Sequence, residues 1–221
     1  MQAVSRASRP DGRPAPSIRL PDPGEPQLAR DIKQLLVRGE TAEARRRFAD
    51  LVAQHQRRAS RLAFHYLRDV GEADEAVQDA FVKVFGSLTT YREEVPFQAW
   101  FTKILVNGCL DRLKARKRRS RWITTMPETG VEGGQSLEAA PDDVESPEDR
   151  LLREERQMAL HDALGRLPDR QRTVVILSQL DGRSAREIGE ILGTTEATVR
   201  VHLFRGLRRL RVLLAPARLL H

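Results

Sequence analysis

Three groups of side chains in this sequence have the types and spacing to do chemistry. Asp74, Glu75, Gln78 and Asp79 stand one, three and one positions apart, which on a helix gathers them on one side. Such a face is either a plain solvated surface or a docking patch for a basic partner. Between Asp111 and Trp122 the chain carries seven Lys or Arg against one acid, a density of positive charge suited to nucleic-acid phosphates. Further on, Arg200, Val201, Phe204, Arg205 and Arg208 recur at three-to-four spacing within EATVRVHLFRGLRRLR. That is the pattern of a helix offering a groove one mixed basic and apolar face.

Catalysis has no comparable group. The sequence contains no P-loop, no nucleophile elbow and no carboxylates spaced as acid and base, so no catalytic residue is expected. His55, His65, His161, His202 and His221 include no i, i+4 pair, and no cysteine accompanies them; neither a metal nor a cofactor is expected. The single cysteine, Cys109, excludes an internal disulfide, points to a reducing compartment and reads as a packed small side chain. No run of ~18 apolar residues and no apolar signal core occur, so no membrane insertion is expected and a cytoplasmic location is.

The elements that must position these groups follow from patterning. With 221 residues, 38 Lys or Arg against 31 Asp or Glu, a net charge of +7, 40% hydrophobic and only 5% aromatic residues, two small all-α modules are favoured over a sandwich or barrel. Residues 1–26 hold six prolines and read as a disordered tail. Residues 27–122 form the first module. From Thr41 to Leu67, Ala44, Phe48, Leu51, Val52, Ala59, Leu62, Ala63 and Tyr66 make one apolar stripe. A second helix from Glu72 to Phe85 follows, then a break at TTYREEVP and a third helix from Phe97 into KARKRRSR. Trp100 and Phe101 open that helix, and at least one is expected in the core. Residues 123–149 read as an acidic flexible linker, because Pro127 to Asp149 contains eight carboxylates and no cation. Residues 150–215 form the second module.

Within the second module, Ser184-Ala185-Arg186-Glu187 fits a capping box, Gly193 sits where a helix ends in a left-handed residue, and Thr195 is placed to cap the next helix. Helix, tight glycine turn and helix make a helix-turn-helix. Ile188, Ile191, Leu192, Val199 and Leu203 are spaced as its core, closed by Val174, Leu177 and Leu180. Gly206 in the second helix is expected to cost up to ~1 kcal/mol of helix propensity.

Both modules resemble the conserved regions of the sigma-70 family in its short extracytoplasmic-function (ECF) form. ADEAVQDAFVKVF resembles the helix that binds core RNA polymerase, and FQAWFTKILVNGCLDRLKARKRR the promoter-melting helix, with Trp100, Ile104, Asn107, Asp111 and Leu113 at the family's spacing. ALGRLPDRQRTVVILSQLDGRSAREIGEILGTTEATVRVHLFRGLRRLR resembles the reader of the minus-35 element. The resemblance implies core-polymerase contacts at Asp74, Glu75, Gln78 and Asp79. It implies minus-10 DNA contacts at Tyr91, Arg92, Lys103, Asn107, Arg112, Lys114, Arg116, Lys117 and Arg119. Minus-35 contacts fall on Thr198, Arg200, Val201, His202, Phe204, Arg205 and Arg208. Val201 and His202 depart from the family's small polar residue and Arg, a difference on the base-reading face itself. The partners implied are core RNA polymerase, promoter DNA and an anti-sigma factor, for a chain that is a monomer when free.

Three readings of function belong to different classes: a dissociable initiation subunit, a free-standing helix-turn-helix regulator, and a nucleic-acid-processing enzyme. A free-standing regulator has no use for the acidic helix, and an enzyme lacks its catalytic group.

Overall fold

The computed structural model describes residues 25–123 and 146–215, and every regular element among them is helical. Most of the expected tail and most of the acidic linker lie outside the described residues. Four helices build the first module: α1 (Glu25–Val37), α2 (Thr41–Leu67), α3 (Val70–Ser87) and α4 (Phe97–Ile123). Four build the second: α5 (Pro147–Gly165), α6 (Asp169–Val175), α7 (Ala185–Leu192) and α8 (Glu196–Leu214). Glu25 and Pro26, assigned to the tail from sequence, instead open α1; a proline in the first turn gives up no helical hydrogen bond. Glu148 and Asp149, assigned to the linker, form the first turn of α5, where Ser146 accepts from the Asp149 backbone N–H. Carboxylates are favoured there by the helix dipole.

Helix α2 is the spine of the first module, and its buried stripe of Ala44, Leu51, Ala59, Leu62, Ala63, Tyr66 and Leu67 packs on α1, α3 and α4. It stops at Arg68, which takes a left-handed conformation (φ 61°) and donates its N–H to the Phe64 carbonyl. Asp69 then caps α3 by accepting from the Glu72 N–H at 2.7 Å. An aromatic cluster fills the centre: Phe81 stacks on Phe101 with centroids 4.8 Å apart, and His55 lies 5.6 Å from Phe97. Phe101 is buried, as expected of one of the two leading aromatics, while Trp100 is half-buried against Tyr91. Cys109 is buried, and burial pushes its thiol up to about 12. A thiol that stays protonated is inert.

The second module closes around α8. Its Val199, Gly206 and Leu210 are buried, with Ile188 and Ile191 of α7 and Val174 to Leu177 opposite. Leu180, expected in this core, is 37% exposed. A single π turn over Ile176–Leu180 rotates it outward and puts Ile176 inside instead.

Gly206 has a tertiary cause, not the propensity defect its sequence suggests. A Cβ there would sit 2.7 Å from Val175 Cγ2 and 3.4 Å from the Gln171 carbonyl, so α6 and α8 approach more closely than alanine allows. Gly206→Ala is therefore expected to destabilise the protein despite a propensity gain of ~1 kcal/mol, because overpacking a core costs ~1–3 kcal/mol. Thermal unfolding checks the sign: a higher melting temperature would show that α6 yields without cost.

The modules are not separated in space. Arg58 on α2 donates to the Asp181 carboxylate at 2.7 Å and to its carbonyl at 3.0 Å. Arg183 holds Asp181 at 3.1 Å and reaches Gln98 at the start of α4 at 3.0 Å. The side chains of Asp181 and Arg183 are 8% and 6% exposed, so this ion network is desolvated and sits between modules that sequence reading had merely tethered.

Candidate polymerase and promoter interface

Helix α3 turns its apolar stripe inward and leaves Asp74, Glu75, Gln78 and Asp79 exposed on the outer side. The structure gathers these four as the spacing requires. It adds two residues that sequence reading had not placed there. Val82, 72% exposed, follows Gln78 by one turn and puts an apolar side chain beside the acids. Its signal was present, since it lies off the buried stripe of Ala73, Ala76, Val77, Ala80, Phe81 and Val84. The second is Arg112 of α4. Expected on DNA phosphates, its guanidinium instead donates to Asp79 at 2.6 Å and to Glu75 at 3.0 Å. Hydrogen bonds to Asp79 and then to Glu75 shift Arg112 further toward its charged form. The fork fixes both carboxylates and partly neutralises them. Asp74 accepts from Ser60 at 3.2 Å.

The basic residues of α4 divide among several surroundings. Lys103, Asn107 and Lys114 fall on one stripe and line a cleft of about 370 Å³ whose other wall is Asp169, Arg170, Thr173, Ile191 and Leu192. Lys114 also pairs with Asp111 at 3.3 Å. Arg116 turns back to the Leu67 carbonyl at 3.4 Å and lies 3.8 Å from Glu72, so it closes the last turn of α2. Lys117 and Arg119 are exposed, as is Arg92 in the loop before α4. Tyr91 differs from expectation. It is 5% exposed, its ring lies 4.8 Å from Trp100 and 5.9 Å from Phe97, and its hydroxyl donates to the Val95 carbonyl. A ring so enclosed shapes the loop from inside and leaves Arg92 as the outward residue.

The helix-turn-helix matches its sequence signals closely. Ser184 accepts from the Glu187 N–H at 3.2 Å while Glu187 accepts from the Ser184 N–H at 2.8 Å. Burial pushes the Glu187 carboxyl up, but the hydrogen bonds from Ser184 and the nearby Arg183 prevail and hold it below its ordinary value. Gly193 is left-handed at φ 64°, and Thr195 caps α8 through the Thr198 N–H. With Val199 inside, Thr198, Val201, Phe204, Arg205 and Arg208 are exposed along α8. Phe204 is 68% exposed and has no aromatic partner among the described residues, unusual for so large an apolar side chain. Arg200 pairs with Glu196 one turn back, and His202 is half-buried at the edge of the face.

An exposed acidic face, a basic helix and a helix-turn-helix with a capped second helix thus occur in one chain, in that order. Residues 51–119 match the model of sigma-70 region 2, and residues 157–210 that of sigma-70 region 4. ECF RNA polymerase sigma factor SigM of Mycobacterium tuberculosis is 33% identical over 179 residues, covering 81% of this chain and 83% of that protein. The chain belongs to the ECF family of RNA polymerase sigma factors. SigW of Bacillus subtilis, another ECF sigma factor, is 30% identical over 164 residues, 74% of this chain and 87% of that one. Among solved structures, CnrH in complex with the cytosolic domain of CnrY covers 87% of this ECF chain and 98% of its own, with a TM-score of 0.58 at 22% identity. That likeness concerns the fold. No helix among the described residues of this sigma factor is long and apolar enough to cross a membrane.

Proposed function

We propose that the chain is a dissociable initiation subunit that binds core RNA polymerase, recognises promoters and supports strand opening, with no catalytic chemistry of its own. The observation that carries this reading is the succession of a region 2 match and a region 4 match on two helical modules. A free-standing regulator would need the second module alone. In this reading α3 meets the polymerase through Glu75, Gln78 and Asp79, with Asp74 beside them and Val82 adding apolar contact. The exposed part of the α4 basic run holds phosphates of the opened strand, and α8 reads the minus-35 element. The subunit works in the cytoplasm as a monomer, needs neither metal nor cofactor, and is held in check by a protein anti-sigma partner. The experiment is direct: the purified chain added to core polymerase is expected to start transcription at a promoter that core alone ignores. Failure at every promoter in a genomic library from the source organism would remove the initiation role.

On α8 the reading separates base contacts from phosphate contacts. Arg205, exposed on α8, is assigned a bidentate contact to guanine, worth ~1–3 kcal/mol of discrimination, and Phe204 is assigned packing on a thymine methyl. Arg200, His202 and Arg208 position the helix. Arg205→Ala is expected to relax preference at one base pair. Arg208→Ala is expected to weaken all sequences alike and reduce the salt slope by ~0.9. A binding series over single-base variants distinguishes them, and a uniform loss for Arg205→Ala would move base reading to another residue of that face.

A further inference from the structure

The two modules meet at a second place besides the buried arginine network, and it is built from histidines. His65 of α2 and His161 of α5 face each other with ring centroids 6.0 Å apart and planes 26° from parallel. Phe64 packs edge-on to His161 at 6.1 Å. The Nδ1 of His161 lies 2.8 Å from the Gln157 carbonyl; a carbonyl only accepts, so that nitrogen carries the proton. The Nε2 of His161 and the Nδ1 of His65 are buried with no hydrogen-bond partner among the described residues. A protonated imidazole must donate from both nitrogens. Charging either ring would therefore bury an N–H without an acceptor, and charging both would set two cations face to face.

We propose that the His65–His161 contact is a proton-sensitive latch between the modules: neutral rings let them pack, and protonation releases them. The charged groups around it come from each packed element. His65 faces His161 of α5, Asp181 beyond the π turn and Arg61 of its own helix. His161 faces Arg68 after α2 and Asp162 of α5, which pair with each other at 2.8 Å. Burial first, then His161, lowers His65 from 6.5 to about 4, with Asp181 opposing; burial likewise lowers His161. The closed form thus binds fewer protons than the open form. Its stability is complete above pH 6.5 and falls as the pH drops from there toward 4. The closed packing also sets α6 and α7 opposite Lys103, Asn107 and Lys114, with the Lys103 ammonium 3.9 Å from the Cβ position of Gly193. Release would uncover that stripe for a nucleic-acid strand, a consequence that rests on the proposed function; the latch itself does not.

The test uses the full chain without polymerase or DNA, so its failure is separate from failure of the initiation role. Spin labels at Arg45→Cys on α2 and Arg186→Cys on α7 report the separation of the modules, since the buried Cys109 stays unlabelled. Arg58→Ala, which leaves Asp181 with Arg183, supplies a background in which opening is measurable. Between pH 7.5 and 5.5 the ratio of open to closed molecules is expected to rise about tenfold, from the difference between 6.5 and about 4 at His65 alone. With His65→Gln and His161→Gln together, the distances are expected to be the same at both pH values. Should that double variant lose its helical circular dichroism, His161→Gln alone is expected to blunt the response. Distances independent of pH in both wild type and the Arg58→Ala background, or a full response without the histidines, would overturn the latch.

Discussion

Charge reversal at Glu75 and Asp79 is expected to weaken core-polymerase binding by about a hundredfold or more while the chain stays folded. Both side chains are exposed, at 70% and 61%, so the substitution removes no core packing. Placing like charges across an interface costs several kcal/mol, and ~1.4 kcal/mol is tenfold in affinity. Arg112 complicates the lysine variant, because it would face two cations where it now bridges two carboxylates. The pair Glu75→Gln and Asp79→Asn keeps the shape and drops only the charge. It is expected to lose about tenfold, mainly in association rate, with a flatter salt dependence. Titration of core polymerase with a labelled chain measures both, and circular dichroism reports the fold. Wild-type affinity in the lysine variant would place the docking face elsewhere.

Gly189→Ala is expected to disrupt minus-35 binding although residue 189 touches no proposed DNA-reading side chain. A Cβ at this position would lie 2.8 Å from the Thr194 carbonyl oxygen and 3.6 Å from the Glu196 backbone nitrogen. Both obstacles are backbone, which cannot rotate aside as a side chain does. A separate backbone hydrogen bond ties the turn together, the Thr194 N–H donating to the Gly189 carbonyl at 2.9 Å. A methyl group there forces α7 away from the start of α8 at a cost of ~1–3 kcal/mol. For a module of this size that is a drop of ~4–8 °C in melting temperature per kcal/mol. Gly193→Ala is the contrasting case: its Cβ position meets the Lys103 ammonium at 3.9 Å, an ordinary contact, and the cost is the left-handed conformation alone, ~1–2 kcal/mol. Calorimetry and operator binding are expected to rank Gly189→Ala below Gly193→Ala. The reverse order would mean that the turn relaxes around an added methyl.

Much of the fold was legible because its signals are local. Apolar residues at three-to-four spacing located α2 and α3, since burial on one helix face needs nothing beyond that periodicity, and the break at TTYREEVP set the start of α4. Ser184 with Glu187, Gly193 and Thr195 announced the helix-turn-helix, because a cap satisfies backbone groups within one turn of itself. The outward set of Val201, Phe204, Arg205 and Arg208 followed from Val199 facing in. The acidic face of α3 was equally plain.

What sequence alone determined, then, was α2 to α4, the helix-turn-helix with its caps, the order of the two modules and the outward faces of α3 and α8. Tertiary structure decided which partner each long or compact side chain meets there. Arg112 stands 33 and 37 positions from Asp79 and Glu75 yet bridges them, and Arg58 reaches Asp181 across 123 positions. No periodicity encodes such pairs; they arise only when packing brings distant helices within reach of a guanidinium. Tyr91 went into the core and not toward a base because Trp100 and Phe97 enclose it. Gly189 and Gly206 are required by backbones and side chains from other elements, a constraint that a residue's own neighbours in sequence do not carry. The His65–His161 contact exists for the same reason: α2 and α5 belong to different modules, and only their packing makes two unremarkable histidines into one titrating pair.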